Sequence, residues 1–227
     1  LTNAPRPSTV IPGQLDRLGL SRDAYDAVVT SGDATRAAIA RYLPEPAFRL
    51  GPEKDDPLFD GMAIDFAPLD RARFVICTGM VDDHSEQPED YRGLLSEARR
   101  FDLPMICANP DIVVNWGGRL IYCAGALAQI YEQLGGEAIY GGKPHRPIYE
   151  LAMATLAEHG GGPMDRRRVL AVGDGLATDI AGANAFGVDA LFVASGNGVH
   201  QGGADAVDRV LKDAGANAVA AMEALTW

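Results

Sequence analysis

The residues best suited to chemistry lie in Val169-Leu-Ala-Val-Gly-Asp-Gly-Leu-Ala-Thr-Asp-Ile180, where an apolar run ends at Gly173 and Asp174 follows at once. A carboxylate at a strand end, on a turn kept open by Gly175, can reach a divalent cation. Magnesium suits such a place, because it keeps several waters and takes only one or two protein carboxylates. Asp179 follows shortly and can complete an acidic pair or secure the turn. Two plainer roles stay open: Asp174 as a turn residue and Asp179 as a helix N-cap.

Lys143 stands in Gly141-Gly142-Lys143-Pro144, just ahead of an expected helix. Glycines let a phosphate approach the backbone and the ammonium supplies a point charge; a solvated loop lysine fits the same residues. Thr2-Asn3 reads as a strand end whose hydroxyl and amide can donate to phosphate oxygens, or as a turn-forming pair. His145 could be a general acid, a substrate contact or a loop residue, and His84, His159 and His200 are too scattered to suggest a metal cluster.

Other chemistries are less well served. Cys77, Cys107 and Cys123 make no C-x-x-C and sit among apolar residues, so they read as buried free thiols of a reducing cytoplasm. No G-x-S-x-G marks an esterase elbow. The dinucleotide fingerprint is broken twice, with Thr178 and Gln201 where a third glycine belongs. A formal net charge of −11 excludes a nucleic-acid partner, though a local site can still take a small anion. No apolar run is long enough to span a membrane, and no secretory leader is read, so a cytoplasmic location is expected.

These residues need elements to hold them. Helical spacing predicts helices over 8–18, 33–42, 88–101, 126–134 and 147–158, and two Ala-rich helices at the end of the chain. Apolar runs predict strands at 27–29, 74–77, 104–107, 120–123, 138–140, 169–172 and 190–193. The charged, proline-bearing stretch 51–57 reads as a linker. Alternating strands and helices over 227 residues argue for an α/β fold with a mainly parallel sheet. In such sheets ligands gather at the carboxyl ends of strands, which is where Thr2, Lys143 and Asp174 fall.

The order of the pieces, Thr-Asn after a strand, a long insertion, Gly-Gly-Lys-Pro before a helix, then Gly-Asp-Gly with Thr-Asp-Ile, resembles the haloacid-dehalogenase (HAD) phosphatases. The closer likeness is to their class IIA branch, the sugar-phosphatase and p-nitrophenylphosphatase-like enzymes. Thr30-Ser31-Gly32-Asp33 and Cys107-Ala108-Asn109-Pro110-Asp111 add to it.

The resemblance implies a Rossmann-like core over 1–55 and 138–227, with an α/β cap inserted over 56–137. It implies Mg²⁺ on Asp174 with Asp179 completing the acidic pair, Thr2 and Asn3 on the phosphoryl group, and Lys143 offsetting its charge. Asn109 and Asp111 of the cap would touch the leaving group. The expected substrate is a small phosphorylated metabolite such as a sugar phosphate, cleaved through an aspartyl phosphate. The family's nucleophile is the first Asp of an Asp-x-Asp on the strand before Thr2, so it is expected upstream of Leu1. Without that segment, the same fold would serve as a non-catalytic small-molecule-binding protein. A phosphotransferase is a further alternative, and a homo-oligomer is left open.

Overall fold

Phe74, Val75, Ile76 and Cys77 are apolar without alternation, the pattern of a strand covered on both faces, and all of them are buried. The computed structural model describes residues 1–116, 118–194 and 203–224. The chain divides into two compact units, Leu1–Gly142 and Lys143–Trp227.

The first unit opens with α1 (Ile11–Arg17), α2 (Ser31–Ile39) and β1 (Ala47–Leu50). It continues through β2 (Phe74–Cys77), α3 (Arg92–Arg100) and β3 (Met105–Cys107). Then come β4 (Val113–Trp116), β5 (Arg119–Tyr122), α4 (Ala124–Gln133) and β6 (Ala138–Tyr140). β1, β2, β3 and β6 pair in that order as a parallel sheet.

Successive side chains of this sheet serve opposite cores. Phe74, Ile76 and Ile106 pack with Ile39 of α2 and with Leu58. Val75, Cys77, Met105 and Cys107 pack with Leu95 of α3 and Leu127 of α4. Each such Leu or Ile contributes about 1.5–3 kcal/mol on burial, which is what holds the strand ends in register. β4 and β5 form a separate antiparallel hairpin. α2 is started by a capping box: Thr30 Oγ1 accepts from Asp33 N at 3.0 Å and Asp33 Oδ2 accepts from Thr30 N at 3.3 Å.

The second unit holds α5 (Arg146–Gly160), β7 (Leu170–Gly173), α6 (Ala181–Phe186) and β8 (Asp189–Val193). α7 (Gly203–Asp213) and β9 (Ala220–Met222) follow. β7, β8 and β9 form a second parallel sheet with β7 at one edge. Tyr149 of α5 stacks on Phe186 of α6 with ring centroids 5.3 Å apart, and the Arg166 guanidinium lies 4.0 Å over the Phe186 ring. The segment Leu176–Ile180 between β7 and α6 is a π-helical turn.

The mainly parallel α/β fold expected from the sequence is the one observed. Local readings differ at 27–29, at β1 and β4, and after β8. Residues 27–29 form no strand; only a single parallel bridge joins Thr2 to Thr30, with Thr2 N donating to Val29 O at 3.0 Å. β1 was hidden by Pro44 and Pro46 ahead of it, and β4 by its short polar interruption at Asn115. After β8 the described residues form one helix and then β9, because pairing with β8 overrides the helical preference of Ala220 and Ala221. The first unit's sheet takes β1 from before residue 55 and β6 from after residue 137. Gly196, Gly198, His200 and Gln201 lie outside the described residues.

Candidate active site

In the second unit, β7 delivers Gly173 to its carboxyl end and leaves Asp174 exposed just beyond it. The π-helical turn then brings Asp179 back against that strand end. A Cβ on Gly173 would stand 2.4 Å from both Cβ and Cγ of Asp179, so only glycine allows the approach. Asp179 Oδ2 accepts from Gly175 N at 3.0 Å, and Oδ1 accepts from Lys143 Nζ at 2.6 Å. Both side chains are largely sequestered, at 13% exposure for Lys143 and 16% for Asp179. Asp179 is therefore inside the turn and is not a helix N-cap. Tyr149 braces the turn by donating to Thr178 O at 3.3 Å, and burial raises its phenol above the ordinary value. His145 takes the N-cap position of α5 without a side-chain cap bond.

This donor set fits a hydrated magnesium ion. Asp174 offers an exposed carboxylate at the strand end, and Asp179 already has each oxygen engaged by a donor. Magnesium asks for no more than one or two such ligands. Zinc asks for three or four His, Cys or acidic ligands, and among the described residues no group of three or more His, Cys, Asp or Glu is placed to hold a metal ion.

In the first unit, the second set of residues comes together. Asn3 is 5% exposed, and its Nδ2 donates to Asp111 Oδ1 at 3.0 Å. Asp111 N in turn donates to Asn109 Oδ1 at 3.0 Å, which closes the loop after β3. A Cβ on Gly142 would lie 2.5 Å from Asn3 Oδ1 and 2.6 Å from Ser31 Oγ, so the second glycine of Gly-Gly-Lys-Pro is there for close approach. Thr2 Oγ1 accepts from Ala4 N at 3.2 Å, so the hydroxyl also serves its own turn. Thr2, Asn3, Asn109 and Asp111 are thus neighbours in one unit, and Lys143, Asp174 and Asp179 in the other.

The first unit also contains a cavity of about 670 Å³ that sequence reading passed over. Lys54, Thr78, Asn109, Arg119 and Ile121 are among its lining residues. Lys54 had been placed in a linker. Thr78 directly follows the apolar run of β2, so the strand-end rule that picks out Asp174 also points to it. The cysteines carry no chemistry here: all are free and buried, and burial lifts Cys77 and Cys123 to about 12. Among the described residues no helix is long and apolar enough to cross a membrane.

The HAD-hydrolase-like family model matches residues 140–217, which take in Lys143, Asp174 and Asp179. A haloacid dehalogenase-like hydrolase from Brucella suis is 43% identical, with a TM-score of 0.87 over 100% of this chain and 82% of its own. A p-nitrophenyl phosphatase from Archaeoglobus fulgidus shares the fold at 21% identity and a TM-score of 0.71, over 98% of this chain and 80% of its own. A possible sugar phosphatase from Cytophaga hutchinsonii does so at 22% and 0.75, over 98% and 79%. No curated protein matches by sequence. The resemblance read from the motifs is borne out, and the chain belongs to the haloacid dehalogenase-like family of hydrolases.

Proposed function

We propose that the protein is a magnesium-dependent phosphomonoester hydrolase acting on a small phosphorylated metabolite, such as a sugar phosphate, through an aspartyl phosphate. The observation that carries this reading is the Lys143–Asp179 pair, fixed at 2.6 Å at the end of the strand that presents Asp174. A lysine held by one carboxylate beside a second, exposed carboxylate is suited to a ligand that is both anionic and metal-bound. The structural neighbours include a p-nitrophenyl phosphatase and a possible sugar phosphatase, which supports phosphate esters as the substrate class.

Each residue then has a task. Asp174 holds the metal and Asp179 orients Lys143, whose ammonium offsets charge on the phosphoryl oxygens. Thr2 donates to the phosphoryl group, with Asn3 and Asp111 holding the Thr2 loop in place through their hydrogen bond. The attacking carboxylate is the aspartate expected ahead of Leu1, and water then cleaves the acyl phosphate. Bound magnesium would supply charge stabilisation of the transferring phosphoryl group. The buried free thiols support a cytoplasmic location.

The test is release of phosphate from p-nitrophenyl phosphate by the full-length protein, with Mg²⁺ and after chelation. Turnover that appears with Mg²⁺ and disappears with the chelator is expected. Turnover indifferent to chelation would remove the metal from the mechanism, and none under either condition would remove the hydrolase.

A further inference from the structure

Thr30-Ser31-Gly32-Asp33 has no part in the proposed chemistry, yet the segment that bears Thr2 is fastened to it. α2 begins at Ser31, and the first amides of a helix have no acceptor within it. Two of them go to the Thr2 segment: Ser31 N donates to Thr2 O at 2.9 Å and Gly32 N to Ala4 O at 3.0 Å. Asp33 supplies a further point, its Oδ1 accepting from Ser8 N at 3.0 Å. On the other side Thr2 N donates to Val29 O at 3.0 Å. The stretch from Thr2 to Ser8 is thus tied to residues 29–33 at both ends and in between.

The residue types at 32 and 33 follow from these ties. The backbone at Arg6 crosses directly over Gly32, where a Cβ would stand 2.3 Å from Arg6 O and 2.8 Å from Arg6 N. Backbone cannot swing aside as a side chain can, so the crossing requires glycine. Asp33 has two oxygens and uses both. Oδ2 caps its own helix by accepting from Thr30 N at 3.3 Å, while Oδ1 holds Ser8. A capping box needs only the first of these bonds. The second reaches 25 residues back along the chain and serves the Thr2 segment.

We infer that Asp33 is a positioning residue for the contact between Thr2 and the phosphoryl group: by holding Ser8 it closes the far end of the segment whose near end carries the Thr2 hydroxyl. The inference rests on the phosphatase reading and adds a residue to it. Asp33 acts through Thr2, so its bond to Ser8 matters to turnover only while the Thr2 hydroxyl is present. That dependence separates it from a residue that merely stabilises the fold, whose loss adds to any other.

The experiment is a double-mutant cycle on kcat/KM for p-nitrophenyl phosphate, in the full-length protein with Mg²⁺. Two variants break the tie. Asp33→Asn leaves one oxygen for two donors. Ser8→Pro removes the Ser8 N–H and leaves the cap of α2 whole. Proline suits the site, because Pro7 is already extended at ψ 150° and Ser8 opens the short 3₁₀ turn Ser8–Val10. Each variant should lower kcat/KM roughly tenfold or more, since misplacing a group by about 1 Å can cost about 10²-fold. In a Thr2→Val background, where the hydroxyl is already gone, neither should lower it further by more than about twofold. Should Asp33→Asn fail to fold, Ser8→Pro decides alone. Losses that multiply with that of Thr2→Val would overturn the assignment of Asp33 and leave the hydrolase in place. So would a Ser8→Pro or a Thr2→Val protein that works at the wild-type rate. No hydrolysis by the wild type would overturn the phosphatase reading and this inference with it.

Discussion

The Asp179 carboxylate is shared between Lys143 Nζ at 2.6 Å and the Gly175 amide at 3.0 Å, so the position of the ammonium is set by the turn that follows β7. Lys143→Ala should therefore lower kcat by roughly 10²–10³-fold, the usual effect of removing a preorganised charge donor. It should also lower stability by about 1–3 kcal/mol, because Asp179 is left largely buried with one donor fewer. Steady-state kinetics with denaturant unfolding checks both; a change confined to KM would make Lys143 peripheral.

Gly173→Ala probes the same carboxylate from the strand side. The added methyl would meet Cβ and Cγ of Asp179 at 2.4 Å, atoms too close to the backbone to swing aside. The turn must shift, taking Asp179 and Lys143 with it. A fall in kcat similar to that of Lys143→Ala is expected, with a small loss of stability. Wild-type kinetics in this variant would mean that the close approach does no work.

Asp55 should leave a signature in the pH dependence of stability. Burial is the main influence on its carboxyl and raises it from the ordinary 3.8, against the opposing pull of Arg6 and Lys54. The folded state then binds more protons than the unfolded state in the window just above 3.8, so stability is lost as pH climbs through it. The stability of the wild type relative to Asp55→Asn should accordingly decline as pH rises from about 4. Thermal unfolding of both proteins across that range is the measurement, and a difference that grows with pH would reverse the assignment.

The thiols should be silent. Cys77, Cys107 and Cys123 are buried, and Cys77 and Cys123 are pushed up to about 12, so almost no thiolate exists at neutral pH. A disulfide reagent should label the native protein only slowly and react fully after denaturation. Rapid native labelling would show a reactive cysteine.

Much of this was legible in the sequence because strands buried on both faces write themselves as unbroken apolar runs. Phe74 to Cys77 and Met105 to Cys107 are such runs, and each was read as a strand. Asp174 and Lys143 were legible for a related reason: polar residues directly after such a run or a glycine pair stand out. Lys54 did not, because its place on a cavity wall and its pairing with Asp83 are properties of the folded chain. β9 was misread because Ala220 and Ala221 have a helical preference weaker than a sheet edge waiting to be paired. Asp179 shows the same limit, since no spacing rule announces a π-helical turn.

Asp174→Asn in the full-length protein, assayed for p-nitrophenyl phosphate hydrolysis over a Mg²⁺ titration, tests the magnesium-dependent hydrolase most directly. Asp174 is exposed at the end of β7, so the substitution should leave circular dichroism and thermal unfolding close to wild type. Loss of nearly all Mg²⁺-dependent turnover in a folded protein is the expected result. Full activity with an unchanged Mg²⁺ response would contradict the assignment of the metal to Asp174 and the mechanism built on it.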